Sequence, residues 1–224
     1  MKKVVILLVL ATLFAGGVFG QSSMSAGGGL LFDMSFGNGH SYEFGDESGG
    51  VGRNNTVIGA FGFFDFTYAV IDLSFGYGMI TNFTKYKGPQ ESFEETYDGD
   101  SMLQLGIGIL GKYPISIGSF TLFPMLGINY NIALSYVYED GSNYNEQDDV
   151  NKVSAAEDLS QFGILAGVGF DFPLSNAMYL RAEALFNLRF PGKYWSDIAK
   201  EESDNTKATL GVGPRIKVGI GFNL

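Results

Sequence analysis

Alternation of apolar residues with small or charged ones at a period of two constrains this chain more than any other feature. From Met178 to Phe190, Leu180, Ala182, Ala184, Phe186 and Leu188 share one parity while Arg181, Glu183, Asn187 and Arg189 hold the other. The same rule runs through Ala69–Ile80, Met102–Tyr113, Phe120–Tyr136, Phe162–Phe172 and Thr206–Leu224. A helix would repeat its apolar residues every three to four positions, so these segments are predicted strands. Two less regular stretches bring the count to about eight. Ala26–Phe36 alternates cleanly only in its second half, and Thr56–Phe66 carries Phe61, Phe63, Phe64 and Phe66 on both parities, which points to a bulge or to different strand boundaries.

The direction of the alternation matters as much as its period. One face is almost unbroken Leu, Ile, Val, Phe and Tyr; the other carries glycine and charges. A soluble sandwich or lipocalin-like barrel buries its apolar face and exposes its charges. The interior of an eight-stranded barrel is only just filled by side chains, and large apolar residues from every strand would overfill it. An apolar exterior around a Gly-rich, charged interior is the arrangement of a barrel solvated by lipid. The connections agree. Segments 37–54, 81–100, 137–158 and 190–205 read as long, polar, irregular loops, whereas Thr67, Pro114–Gly118 and Pro173–Asn176 mark tight turns. Short turns at one end and long loops at the other, with both termini on the short-turn side, is the outer-membrane pattern. Aromatic residues gather at strand ends: Phe64, Phe66, Tyr68, Tyr113, Phe120, Phe170, Phe172 and Phe222 by the turns, and Phe36, Tyr77, Tyr130, Tyr136, Phe190, Tyr194 and Trp195 by the loops. Two interfacial girdles are expected from them.

At the N-terminus, Met1-Lys2-Lys3 precedes an apolar run, Val4–Phe14, and small residues lead to Val18-Phe19-Gly20. The run is too short to span a bilayer and has the flanks of a cleaved signal peptide, with processing before Gln21. The expected organisation is a signal peptide over 1–20 and one domain over 21–224. That domain is all-β: a transmembrane antiparallel up-and-down barrel of about eight strands in the bacterial outer membrane, with short periplasmic turns and four long extracellular loops. With no cysteine in the chain there is no disulfide framework, thiolate metal site or lipid-bearing cysteine.

Charge is partitioned along the chain. Of 24 acidic residues, 19 fall in the four long loops, and the net charge of −10 belongs to them. That acidity disfavours nucleic acid as a partner, because phosphate would be repelled. Asp33, Asp65, Asp72, Asp171 and Glu183 lie in strands, as do Lys112, Arg181, Arg189, Lys207, Arg215 and Lys217. Asp171 and Arg181 flank the turn at Pro173–Asn176, so hairpin pairing brings them diagonally together on the inward face. Glu183, Arg215 and Lys217 share that parity at comparable height. Isolated charges are costly in such a place but mutually paired ones are tolerable, so Asp171, Arg181, Glu183, Arg215 and Lys217 are expected to form an ionic network that closes the lumen. Removing Glu183 is expected to leave a positive cluster unpaired.

The last strand ends Lys217-Val218-Gly219-Ile220-Gly221-Phe222-Asn223-Leu224. A polar residue, a Gly two positions later and spaced apolar residues to the end resemble the terminal signal read by the outer-membrane insertion machinery, carried here by Lys217, Gly219, Phe222 and Leu224, with Leu in place of the commoner Phe. Together with the signal peptide and four hairpins, residues 21–224 resemble the small eight-stranded outer-membrane proteins of the OmpA, OmpX, OmpW and opacity-protein type. The resemblance implies outer-membrane lipid and the insertion machinery as partners.

Motifs for chemistry are sparse. Gly106-Ile107-Gly108-Ile109-Leu110-Gly111 fits GxGxxG, but a dinucleotide site needs a strand-to-helix turn, and this run sits inside a strand. The lone histidine, His40, has Ser41 and Glu43 nearby in the first loop, a poor scaffold for a nucleophile and base, and reads as an exposed loop residue. Asp98-Gly99-Asp100 and Asp140-Gly141-Ser142-Asn143 lack the calcium-loop spacing and read as turns. No catalytic residue, cofactor or metal site is expected. The leading expectation is a non-enzymatic surface barrel that presents acidic loops to host or environmental ligands, for adhesion or envelope integrity. A narrow channel or hydrophobic-solute conduit of the OmpW type is the alternative, and a lipid A-modifying enzyme is more remote.

Overall fold

The computed structural model describes residues 24–44, 46–89, 91–143, 156, 159–193, 196–197 and 206–224. The expected signal peptide, Tyr194 and Trp195 lie outside them. Ten strands follow in chain order: β1 (Ser25–Phe44), β2 (Glu47–Asp65), β3 (Ala69–Lys87), β4 (Ser92–Lys112), β5 (Ile115–Ile117), β6 (Phe120–Val137), β7 (Gln161–Pro173), β8 (Met178–Arg189), β9 (Thr206–Thr209) and β10 (Gly211–Asn223). Each long strand pairs antiparallel with its neighbour in sequence, and β10 pairs with β1, so eight staves close into a ring. β5 is a short hairpin arm against β6 within the expected Pro114–Gly118 turn. β9 continues the last stave beyond a break at Leu210, so the expected single strand Thr206–Leu224 is two. Ser25 faces Asn223 across the seam, which puts the described ends of the chain together at the short-turn end.

The wall is inside out relative to a soluble protein. Leu30, Leu126, Phe186 and Ile58 are exposed on the outer surface, at 74%, 64%, 55% and 57% respectively. Exposed aromatic rings stand near both ends of the outer face, Phe64, Tyr68, Tyr113, Phe172 and Phe222 by the turns and Phe36, Tyr77, Tyr130 and Phe190 at the other. At about 3.3 Å per residue and a tilt near 40°, a strand of the length of β8 rises about 30 Å along the normal, enough to cross an apolar band about 25 Å tall.

Three expectations are corrected. Segments 37–54 and 81–100 are not irregular loops. β1–β2 pairing persists to Phe44↔Glu47 and β3–β4 pairing to Lys87↔Ser92, so two long hairpins project as one sheet past the band. Glycine and polar composition suggested loops, but cross-strand aromatics support the ladder: the Tyr42 ring lies over Gly49 and the Phe83 ring over Gly52. Second, of the two alternatives for Thr56–Phe66 the boundary differs and the bulge is absent: the strand runs Glu47–Asp65 and Thr56–Asp65 keeps a regular register with β1, while the register shifts lie at Ser35/Asn38, Ile80/Thr81 and Leu103/Gln104. Phe61 and Phe63 simply point inward, opposite Gly29 and Gly27, whose missing side chains leave room for the rings. A Cβ on Gly27 would stand 2.6 Å from the Phe63 ring. Third, Tyr136 is no girdle residue. The β4–β6 register skips Leu134, which flips the parity beyond it and turns Tyr136 into the interior.

Candidate functional site: a charged and aromatic lumen

Inward positions around the ring are set by register alone, because residues directly opposite across a ladder share a face. On that face five carboxylates meet five cations in three groups. Nearest the short turns, Arg181 stands directly opposite Asp171 on β7 and not diagonal to it. Its Nε donates to Asp171 Oδ1 at 2.7 Å and its Nη2 to Oδ2 at 2.6 Å, a bidentate fork. The same Nη2 donates to Asp65 Oδ2 at 2.5 Å, and Lys112 Nζ donates to that oxygen from β4, also at 2.5 Å. Three rings enclose the guanidinium: Phe63 at 4.5 Å, Phe123 at 5.0 Å and Tyr179 at 5.2 Å from its central carbon. A hydrogen bond of 2.6 Å joins the Tyr179 hydroxyl to Ser25.

One step along β10, Lys217 lies directly opposite Glu183 and donates to its Oε2 at 3.0 Å and to Asp72 Oδ2 across the lumen. Arg215 lies opposite Asp33 across the β1–β10 seam. Asp33 Oδ2 accepts from Arg215 Nε at 2.8 Å and from Arg189 Nη2 at 2.5 Å, and Arg215 also reaches Asn131 Oδ1 at 3.3 Å. Arg181, Arg189, Arg215 and Lys217 are among the largest fully buried side chains. Leu31, Phe61, Phe63, Val70, Leu110, Phe123, Met125, Leu165, Tyr179 and Leu185 fill the space around these groups as one apolar cluster.

All five residues expected in the lumen therefore sit there, but not as one network. Asp171 and Arg181 form the lowest group, Glu183 and Lys217 the middle one, and Arg215 belongs with Asp33. The strand charges Asp33, Asp65, Asp72, Lys112 and Arg189 belong to these groups as well; the pattern along a single strand does not show it, because partners such as Asp33 and Arg215 meet only when the barrel closes. Of the terminal-signal residues, Lys217 is buried inside, Phe222 and Leu224 are exposed outside, and Gly219 packs tightly against Gly28 and Gly29 at the seam.

Above the ion groups, Asp100 is a second focus. It accepts from Asn82 Nδ2 and the Tyr136 hydroxyl, each at 2.5 Å, and from the Glu139 backbone N–H at 3.0 Å, while Arg53 lies 4.7 Å over the Tyr136 ring. Tyr136 packs there with Ile80, Met102, Ala133 and Leu159. Asp100 is thus a structural carboxylate. At Asp140 a local turn is formed: Ser142 donates from its backbone at 2.8 Å and its hydroxyl at 2.6 Å, which holds the Asp140 carboxyl below its usual range. Among the described residues no group of three or more His, Asp or Glu is arranged to hold a metal ion. His40 is not an exposed loop residue: it is buried on β1, with Ser41 and Glu43 on the opposite face of that strand. The six residues Gly106–Gly111 lie within β4, with no helix after them.

A ring of antiparallel staves with an apolar exterior and ion pairs sealed within it is stable only where lipid, and not water, surrounds the wall. The chain is an outer-membrane β-barrel. Among solved structures it is similar to Ail, the attachment invasion locus protein of Yersinia pestis, determined with the heparin analogue sucrose octasulfate, at 11% identity over 91% of this chain and 99% of that one (TM-score 0.38). It is also similar to outer membrane protein W of E. coli, at 10% identity over 92% and 100% of the two chains (TM-score 0.44). A third likeness is to the translocator domain of the autotransporter NalP from Neisseria meningitidis, at 14% identity over 100% and 96% (TM-score 0.29). No protein-family model matches the barrel's sequence, and no curated protein matches it either.

Proposed function

We propose that this barrel is a non-enzymatic surface protein: a closed post in the outer membrane that carries its projecting hairpins and acidic loops to contacts outside the cell. The observation that carries this reading is the lumen. Five acids and five bases interlock there, and an apolar cluster that includes Phe61, Phe63 and Phe123 stands across the path that a solute would take. A conduit needs a continuous wet or greasy passage; paired charges set among packed rings provide neither. The chain is delivered with residues 1–20 removed and inserted with the help of its terminal strand. Single-channel recording in planar bilayers tests the reading: wild-type protein should stay at the leak level, and large, steady conductance would overturn it.

A further inference from the structure

At the short-turn end the barrel opens into a cavity of about 330 Å³, a size that suits a small molecule. Among the described residues it is lined by Ser25, Asp65, Lys112, Thr121, Asp171 and Tyr179, which come from six different strands. It is therefore the axial mouth of the barrel and not a groove on its side. Its floor is the lowest ion group. Asp65 is fully engaged there: Oδ1 accepts the Thr67 backbone N–H at 3.0 Å, and Oδ2 accepts from both Arg181 and Lys112. Asp171 keeps capacity to spare. Its side chain is 18% exposed against 4% for Asp65, and each of its oxygens accepts one N–H of Arg181, which leaves each a lone pair toward the mouth.

The rim adds hydroxyls. Ser175 Oγ accepts the backbone N–H groups of Ala177 at 3.2 Å and Met178 at 3.1 Å, which occupies both lone pairs and leaves its own O–H to donate. Ser116 and Thr121 stand directly opposite each other across β5–β6, on the parity of the buried Phe123, and both line the cavity. Pro114, Pro173 and Met178 supply apolar surface between these groups.

The charges of the floor select against ions. Asp65 and Asp171 balance Arg181 and Lys112, so an anion would meet two carboxylates and a cation two bases. What the mouth offers is hydrogen bonding without net charge: acceptors at Asp171, a donor at Ser175, and hydroxyls at Ser116 and Thr121 that do both. Adjacent hydroxyls on a saturated ring match this set. Two of them can donate together to the two oxygens of one carboxylate and still accept from Ser175, while the C–H face of the ring rests on proline and methionine. We propose that the short-turn mouth binds an uncharged sugar ring, as a free saccharide or as the end of a glycan chain, with Asp171 accepting two neighbouring hydroxyls. The site lies at the end of the barrel opposite the projecting hairpins and stands apart from the surface-barrel reading.

The test is amide NMR of the isotopically labelled chain beginning at Gln21, held in lipid nanodiscs and titrated with glucose and with maltoheptaose. Comparison compounds are cyclohexanol, which has the ring with a single hydroxyl, and glycine, spermidine and inorganic phosphate. Saturable shifts at Thr67, Ser116, Ser175 and Ala177 with millimolar sugar are expected, unchanged at high salt because the ligand is uncharged, and absent with all four comparisons. Equal affinity for the two sugars would assign the free saccharide, and tighter binding of maltoheptaose the glycan end; either upholds the site. Ser116→Ala with Thr121→Val should weaken binding about tenfold, from a few-fold per lost hydrogen bond. Thr121→Trp should fill the mouth and abolish it. Both positions lie outside the buried apolar cluster, so the heat-modifiable mobility of these variants should match wild type. Binding that survives Thr121→Trp, indifference to the paired hydroxyl removal, shifts centred elsewhere, or equal response to glycine or cyclohexanol would each overturn the proposal. So would the lack of any saturable shift, or binding seen only when the chain begins at Met24, since residues 21–23 would then be the occupant of the mouth.

Discussion

Asp33→Ala is the substitution that most directly tests whether the ion groups are structural. The carboxylate is fully buried, and one of its oxygens holds Arg189 at 2.5 Å and Arg215 at 2.8 Å, so a single deletion strands two guanidiniums. Neither can escape by losing its proton, because arginine stays charged inside proteins. Removing one partner of a buried ion pair costs about 3–5 kcal/mol. Here the middle group offsets part of the stranded charge, since Lys217 faces both Asp72 and Glu183 and leaves one carboxylate in excess. A loss of about 3–5 kcal/mol is therefore expected and not twice that. With a urea slope of about 2 kcal/mol per molar, the unfolding midpoint in lipid vesicles should fall by roughly 2 M. The triple change Asp33→Val, Arg189→Leu, Arg215→Met removes the whole group and should recover most of the loss, because apolar replacements of a buried ionic group are often neutral or better. A midpoint for Asp33→Ala within about 0.5 M of wild type, a quarter of the expected shift, would refute the reasoning.

Other outcomes follow from the same geometry. Glu183→Ala should destabilise by less than Asp33→Ala, because Lys217 keeps Asp72; equal losses in the same urea titration would contradict the grouping. Phe123→Ala, which empties a fully buried ring site beside Arg181 and Lys112, should cost about 3–5 kcal/mol by the same measurement. Gly27→Val should block closure, since its new side chain meets the Ile220 carbonyl and the Phe63 ring; the yield of heat-modifiable, folded barrel on refolding should collapse. N-terminal sequencing of protein from purified outer membranes should begin at or near Gln21.

Much of the barrel was legible because the period-two pattern is written by the lipid itself: every outward side chain must be apolar, so parity could be read without knowing any partner. Arg181, Glu183 and Lys217 fell on the correct face for that reason. Where an inserted residue changes the parity, as at Leu134 before Tyr136, the pattern gave no warning, since Tyr suits a girdle as well as an interior. Phe61 and Phe63 looked like a defect because their compensation, Gly29 and Gly27, lies on another strand. The projecting hairpins resemble loops in sequence for a related cause. Water on both faces removes the demand for alternation, and the ladder is then held by pairs such as Tyr42 with Gly49 that only the register reveals.

The same division explains where the charge of this molecule acts. Each of the five acids in the three ion groups has a base beside it: Asp65 and Asp171 with Arg181 and Lys112, Asp72 and Glu183 with Lys217, Asp33 with Arg189 and Arg215. These ten residues are neutral as a set, so the net charge of −10 belongs wholly to residues outside them. A barrel built for ion passage would concentrate one sign of charge along its axis, where the low-dielectric wall amplifies it. This one cancels charge along its axis, and its surplus acid belongs to residues outside the lumen groups. On the surface-barrel reading proposed above, charge placed there would favour cations and repel anions over about 10 Å at moderate salt. The balanced lumen and the acidic surplus are thus two sides of one arrangement: the charges inside the barrel cancel one another, and the excess acid lies on residues outside it.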